Sequence, residues 1–265
     1  MSQVAKTDLE ATANSRQQIR QRVEQRKITW NGPLLVVVSR TVFILLAQGV
    51  VAVILWSRGA REPWLSAGSW WTVYATLVDV GCLTLLWKFT RAEGIKIRDL
   101  VGPIRLRYGR DLLLGAAVLL VIFPLFAGGG TLASRWLYGV YQVNLYPGIL
   151  SARVLPVWAV FYSRFIWWMI WSPTEEMTYA GYALPRIEAL SGRKWVAVAI
   201  VGFWWTVQHP FLPFIADWRC FLWRFVAFLA GVLALVLIYL RIRRLAPLIL
   251  AHWVMDIVAT VMTLK

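Results

Sequence analysis

The 265-residue sequence has little of three residue types that carry much protein chemistry: two cysteines, two histidines and 13 acidic residues, against 28 Lys and Arg. Cys82 and Cys220 are isolated and form no CxxC pair, which argues against both a cysteine zinc site and a disulfide framework. The scarcity of histidine has a further consequence. Any imidazole chemistry in this chain must use His209, His252 or both.

Apolar residues are what the sequence has in excess, at 59% of the chain. Soluble globular chains are about 45–50% apolar, so the lipid bilayer is the expected solvent. A net charge of +15 would suggest nucleic acid in a soluble protein, but here the basic residues fall between apolar runs and no nucleic-acid motif accompanies them. We therefore expect contact with the lipid bilayer and its anionic surface, and no nucleic-acid partner.

Apolar stretches of about 20 residues can span a bilayer. Such stretches run over 34–56, 64–87, 111–133, 153–173, 195–215, 221–240 and 246–264. Because spanning backbone must satisfy its own hydrogen bonds, they predict an all-α, polytopic helical membrane bundle of about seven transmembrane helices, with eight as the alternative. We assign 1–32 to a basic cytoplasmic tail, not a cleavable signal peptide, and 33–265 to one helical membrane domain.

The loops alternate in charge along the chain. Lys and Arg are concentrated before the first span, between the second and third, after the fourth and before the seventh. The positive-inside rule then predicts a cytoplasmic N-terminus and a C-terminus on the opposite side. The charged loops suggest an integral protein of a bacterial inner (cell) membrane.

Ionisable residues within the apolar sequence are the functional candidates, because a charge in hydrocarbon is costly. They are Glu175, Glu176, His209, His252 and Asp256. Structural alternatives exist for each segment: an acid pair at a helix N-terminus for the two glutamates, and a packing histidine for His209. His252 and Asp256 are four residues apart and share one helix face. Elsewhere in the spans, Arg40 and Asp79 can form a structural pair.

The candidates suit two chemistries. Glu175, His209 and His252 match the ligand set of a catalytic zinc site with an open water position. The same groups suit a metal-free hydrolysis, in which Glu175 takes a proton from water and a histidine stabilises the oxyanion or protonates the leaving amine. Asp256 can accept the ring N–H of His252 and orient it. A divalent metal, zinc first, is the only cofactor that these residues suggest.

Three segments resemble the motifs EExxxR, FxxxH and Hxxx(N/D) of the CAAX-protease and bacteriocin-processing (CPBP, Abi) intramembrane metalloproteases. They are Glu175 to Gly181, Trp205 to His209, and His252 to Asp256. The resemblance covers about 150–260, where it implies a catalytic core. The motif arginine falls on Ala180, and Trp205 replaces the phenylalanine.

The resemblance implies an intramembrane endopeptidase that hydrolyses a peptide bond of a peptide or membrane-associated protein substrate. It makes Glu175 the water-activating base, His209 and His252 the polarising or ligating groups, and Asp256 their companion, with Glu176 beside them in the motif. The alternative is a non-catalytic scaffold or peptide-binding protein on the same fold, which Ala180 favours. A proton-coupled transporter is a third possibility, weakened because the sequence has no visible repeats.

Overall fold

The computed structural model describes residues 12–102, 108–141 and 155–263. Its α-helices, in chain order, are α1 Arg16–Glu24, α2 Asn31–Ser57, α3 Pro63–Gly68, α4 Trp71–Ala92, α5 Arg98–Val101, α6 Tyr108–Tyr138, α7 Val157–Phe165, α8 Trp167–Glu176, α9 Leu184–Ser191, α10 Lys194–Phe211, α11 Trp218–Ile242 and α12 Ala246–Thr263. A π-helix, Met177–Ala183, joins α8 to α9. These described segments contain no strand, and the predicted all-α class is confirmed.

Four helices, α2, α4, α6 and α11, are long and apolar enough to cross a membrane. On α6, which has 31 residues, Leu113 and Leu120 are 75% and 77% exposed. Long apolar helices that present their side chains outwards on this scale need lipid around them. The chain is therefore an integral membrane protein that folds as a helical bundle.

The remaining predicted spans are helical but have different shapes. The stretch 153–173 is divided between α7 and α8, and its first two residues lie outside the described residues. The stretch 195–215 corresponds to α10, which ends at Phe211, and 246–264 corresponds to α12, a shorter apolar helix. The count of seven spans stays a prediction.

The bundle is built by packing α6 along α11, with α12 against α6 and α10 against α11. α2 packs on α4 and α10, and α8 lies between α4 and α12. At the contact of α6 with α11, a Cβ on Gly129 would come within 2.6 Å of the Ala227 carbonyl oxygen. Small residues of this kind let membrane helices approach closely.

The helical run that carries both glutamates changes geometry directly after Glu176, where the π-helix begins. Near its end, Pro185 has no N–H, so it cannot bond the carbonyl of Gly181 four residues earlier. Instead, Asn14 Nδ2 donates to that carbonyl at 2.9 Å and Arg186 Nη1 at 3.4 Å. π-helical turns are frequently found at functional sites.

The far end of this run is fixed by Arg186. It belongs to the basic segment that follows the fourth predicted span, and the structure places it in α9, wholly buried. Its guanidinium donates to both carboxylate oxygens of Glu93, at 2.7 and 2.6 Å. Because a buried charge is tolerated only with such partners, this ion pair ties the site-bearing run to the end of α4.

Candidate active site

Glu175 is wholly buried, and both of its carboxylate oxygens have partners. The indole N–H of Trp205, on α10, donates to Oε1 at 2.6 Å. Arg40, on α2, donates from Nη2 to Oε2 at 3.4 Å and from Nη1 to Asp79 Oδ1 at 3.2 Å. The predicted Arg40–Asp79 pair is confirmed, and the same guanidinium also supplies the positive charge that a buried Glu175 needs.

Aromatic rings hold this charged group in place. The Arg40 guanidinium lies over the Trp171 ring at 3.9 Å from its centroid. The Tyr179 ring stacks on Trp205, with centroids 5.1 Å apart and planes 11° from parallel. Cation–π contacts strengthen when the cation is desolvated, as here. Rigid neighbours on several sides therefore set the orientation of the Glu175 carboxylate.

Glu176 faces a different set of partners, because adjacent helical residues point about 100° apart. Its Oε1 lies 3.1 Å from Nδ1 of His252. The other ring nitrogen of His252 lies 3.7 Å from Oδ1 of Asp256, and the Ser172 hydroxyl donates to Oδ2 of Asp256 at 2.5 Å. Ser172, Asp256, His252 and Glu176 thus form one polar chain between α8 and α12.

The side chains of the site differ in exposure. The side chains of His252 and Asp256 are 13% and 12% exposed, whereas Glu176 and Glu175 are completely buried. Oε2 of Glu176 has no hydrogen-bond partner among the described residues. A buried oxygen of this kind is an acceptor available to a water or a substrate N–H.

His209 lies on α10, one turn after Trp205, with its ring stacked on Phe228 at a centroid separation of 3.8 Å. Glu175 interacts electrostatically with both His209 and His252. The structure thus brings Glu176, His252 and Asp256 into contact and leaves Glu175 and His209 as their electrostatic neighbours. Approach of Glu175, His209 and His252 to within about 4–8 Å, as one shared water or metal requires, stays a prediction.

The residues expected from the sequence as zinc ligands, Glu175, His209 and His252, are engaged by other side chains in this structure. Among the residues that the structure describes, no group of three or more His, Cys, Asp or Glu side chains is placed to hold a metal ion. Both ring nitrogens of His252 face carboxylates, and Glu175 is engaged by Arg40 and Trp205. Metal binding would need these contacts to rearrange, and it stays a prediction.

Three contributors to the site were not assigned to it from the sequence. The sequence indicates Arg40 only as a structural partner of Asp79, but the residue also lies completely buried beside Glu175. Trp205 was interpreted as a motif aromatic, and its indole N–H is a donor. Ser172 gave no signal beyond its place before Pro173. One signal in the sequence could have linked Arg40 to the site. It is an arginine within an apolar span, and such a residue needs an acidic partner, which other spans of this chain provide.

Residues 156–258 match a family model described as Type II CAAX prenyl endopeptidase Rce1-like. This part of the chain is CAAX-protease-like. The match includes Glu175, Glu176, His209, His252 and Asp256, and it confirms the resemblance found in the sequence motifs. Neither a comparison with curated proteins nor one with solved structures gave a match. Arg40 and Asp79 lie outside the CAAX-protease-like region.

Proposed function

We propose that this chain is an intramembrane endopeptidase that hydrolyses a peptide bond with a water activated by Glu175. The observation that carries the proposal is the position of Glu175, which is buried and oriented by Arg40 and Trp205 within electrostatic range of both histidines. The substrate is a peptide or a membrane-associated protein. The expected location is a bacterial inner membrane, with the N-terminus in the cytoplasm.

In the proposed reaction, the water oxygen forms a bond to the scissile carbonyl carbon while Glu175 accepts a water proton. The carbonyl oxygen becomes an oxyanion that a neighbouring imidazole stabilises by donating an N–H. The donor is His209, or His252 after one of its two carboxylate contacts opens. Collapse of this intermediate breaks the carbon–nitrogen bond. The proton held by Glu175 then passes to the leaving amine, so that the enzyme returns to its starting state.

The Glu176–His252–Asp256 chain supports this reaction by holding the imidazole. Contacts at 3.1 Å to Glu176 and 3.7 Å to Asp256 place a carboxylate next to each ring nitrogen. Such partners fix the orientation of a histidine and raise its basicity. Because Asp256 is held in turn by Ser172, the imidazole has a supported position at the more exposed end of the site.

The decisive experiment is a proteomic comparison of membrane fractions that contain the wild-type protein or Glu175→Gln. The substitution keeps the size of the side chain and removes the base. New peptide termini seen only with the wild type support the proposal. Glu62→Gln is the matched control, because Glu62 is exposed and precedes α3, and it should give the wild-type pattern.

The alternative function is a non-catalytic membrane protein that binds a peptide on the same scaffold. One observation favours it: both oxygens of Glu175 already have donors within the protein, so water must share them. If termini are identical for the wild type and Glu175→Gln while both proteins capture the same peptides, the scaffold is the better description.

A further inference from the structure

A basic cleft lies outside the candidate active site, at the end of α11. Its volume is about 1380 Å³, and its walls come from α1, the start of α10 and the last turns of α11. Since α11 is one of the helices long and apolar enough to cross a membrane, we place the head-group level near its last residue, Ile242. Trp195, which is 64% exposed beside the cleft, is a residue type typical of that level.

Five basic residues line the cleft, and Glu24 is the one acidic residue among its described lining. The basic residues are Arg16, Arg20, Lys194, Arg241 and Arg243. Two of them share a carboxylate, since Arg16 and Arg243 both contact Glu188. No ion pair among the described residues engages Arg20 or Arg241, and both are exposed. The cleft therefore keeps a net positive charge after Glu188 is counted.

One wall of the cleft is apolar. Leu237, which is 42% exposed, and Leu240 and Ile242 continue the surface of α11 into the cleft. Basic side chains next to an apolar wall of Leu237, Leu240 and Ile242 match a ligand with an anionic head and a hydrocarbon tail. A soluble anion would contact the basic residues but not the leucines. An acidic peptide would not contact the part of the apolar wall that continues along α11 into the membrane.

We propose that this cleft binds an anionic phospholipid. Its phosphate contacts the arginines, and an acyl chain lies along Leu237 and Leu240. Basic pockets between helices at a membrane surface recognise such head groups. A bound lipid here would bridge α1 to α10 and α11. Because Asn14, just before α1, bonds Gly181 in the π-helix, the lipid would also stabilise the run that carries Glu175.

The test uses the full-length protein in nanodiscs of phosphatidylglycerol mixed with phosphatidylcholine, with retained lipid counted by native mass spectrometry. We expect the wild type to retain phosphatidylglycerol selectively. Arg20→Gln with Arg241→Gln should weaken this retention about 25-fold, since each basic residue near an anionic surface contributes roughly fivefold. Arg20→Lys with Arg241→Lys should keep most of it. The matched control is Lys88→Gln with Arg98→Gln, which removes two exposed charges outside the cleft and should behave as the wild type.

Equal losses in the cleft variant and the Lys88/Arg98 control would overturn the proposal, because surface charge in general would then explain retention. Equal retention of the two lipids by the wild type would overturn it as well. Complete displacement of the lipid by millimolar inorganic phosphate would also overturn it, because the cleft would then be a site for a soluble anion and not for a phospholipid. A thermal unfolding scan of each variant in detergent checks that the exposed substitutions leave the fold intact. None of these readouts depends on peptidase activity.

Discussion

Nη2 of Arg40 lies 3.4 Å from Oε2 of Glu175, although the two residues are 135 positions apart in the chain. The related motif carries an arginine where this sequence has Ala180, which is completely buried. The positive charge beside the glutamates comes instead from α2, outside the CAAX-protease-like region. Arg40, a side chain of a different helix, therefore places a positive charge beside Glu175 although the motif arginine is absent.

Glu175→Gln should abolish peptide hydrolysis, because loss of a general base typically costs about 100- to 10,000-fold in rate. Membrane insertion should be retained, and thermal stability should fall less than in Arg40→Met, since the amide keeps the shape of the side chain and Arg40 keeps Asp79 as its partner. The measurement is cleavage of an identified substrate by purified protein, with Glu62→Gln as control. Full activity in Glu175→Gln would mean that Glu176 is the general base or that the hydrolase proposal is wrong.

Arg40→Met should destabilise the protein by about 3–5 kcal/mol, the usual effect of removing one partner from a buried ion pair. Asp79 and Glu175 would both lose their cation. Adding Asp79→Leu should recover part of the stability and none of the activity, because Glu175 would still lack its charge partner. Thermal unfolding in detergent and substrate cleavage measure the two effects. An active double variant would show that Arg40 has only a structural role.

Glu176→Gln should lower activity less than Glu175→Gln, by about tenfold, because loss of a partner that orients a histidine typically costs 10- to 100-fold. His252→Ala should be the more severe change, since it removes the ring itself. Steady-state kinetics on the three variants, compared at equal amounts of folded protein, rank the roles. If Glu176→Gln lowered the activity most, the unpartnered Oε2 of Glu176 in the wild type would be the better candidate for the base.

Chelators should leave the activity unchanged, because the nitrogens of His252 face carboxylates rather than an open ligand position. The metal content of the purified protein, measured by plasma mass spectrometry, should then be well below one equivalent. Stoichiometric zinc that is lost together with activity and restored on readdition would contradict this expectation. It would support Glu175, His209 and His252 as ligands.

Reporter fusions at Met1 and Lys265 should report a cytoplasmic N-terminus and a C-terminus on the opposite side of the membrane. Both residues lie outside the described residues, so the loop charges alone carry this prediction. Two ends on the same side would require an even number of spans. In that case, the divided α7–α8 segment is the first place to revise.

Apolar content and the length of the apolar runs were enough to predict a helical membrane bundle, because a spanning backbone has few ways to satisfy its hydrogen bonds. The spacing of His252 and Asp256 likewise placed them on one helix face, since this is a local property of the helix. The order of the three motifs indicates similarity to the CAAX proteases without any knowledge of side-chain contacts. Each of these conclusions depends on residues close together in the chain or on composition.

The partner of each glutamate, by contrast, is set by how distant helices pack. Glu175 and Glu176 are neighbours in sequence, yet one meets Arg40 and Trp205 and the other meets His252. Periodicity gives the 100° between them but not the identity of the helices on either side. The pairing of Arg40 with Glu175, and the burial of Arg186 against Glu93, depend on how distant helices pack. Hydropathy does not encode that packing, because several arrangements bury the same apolar surface, and the buried charges are paired only in the arrangement that the chain adopts.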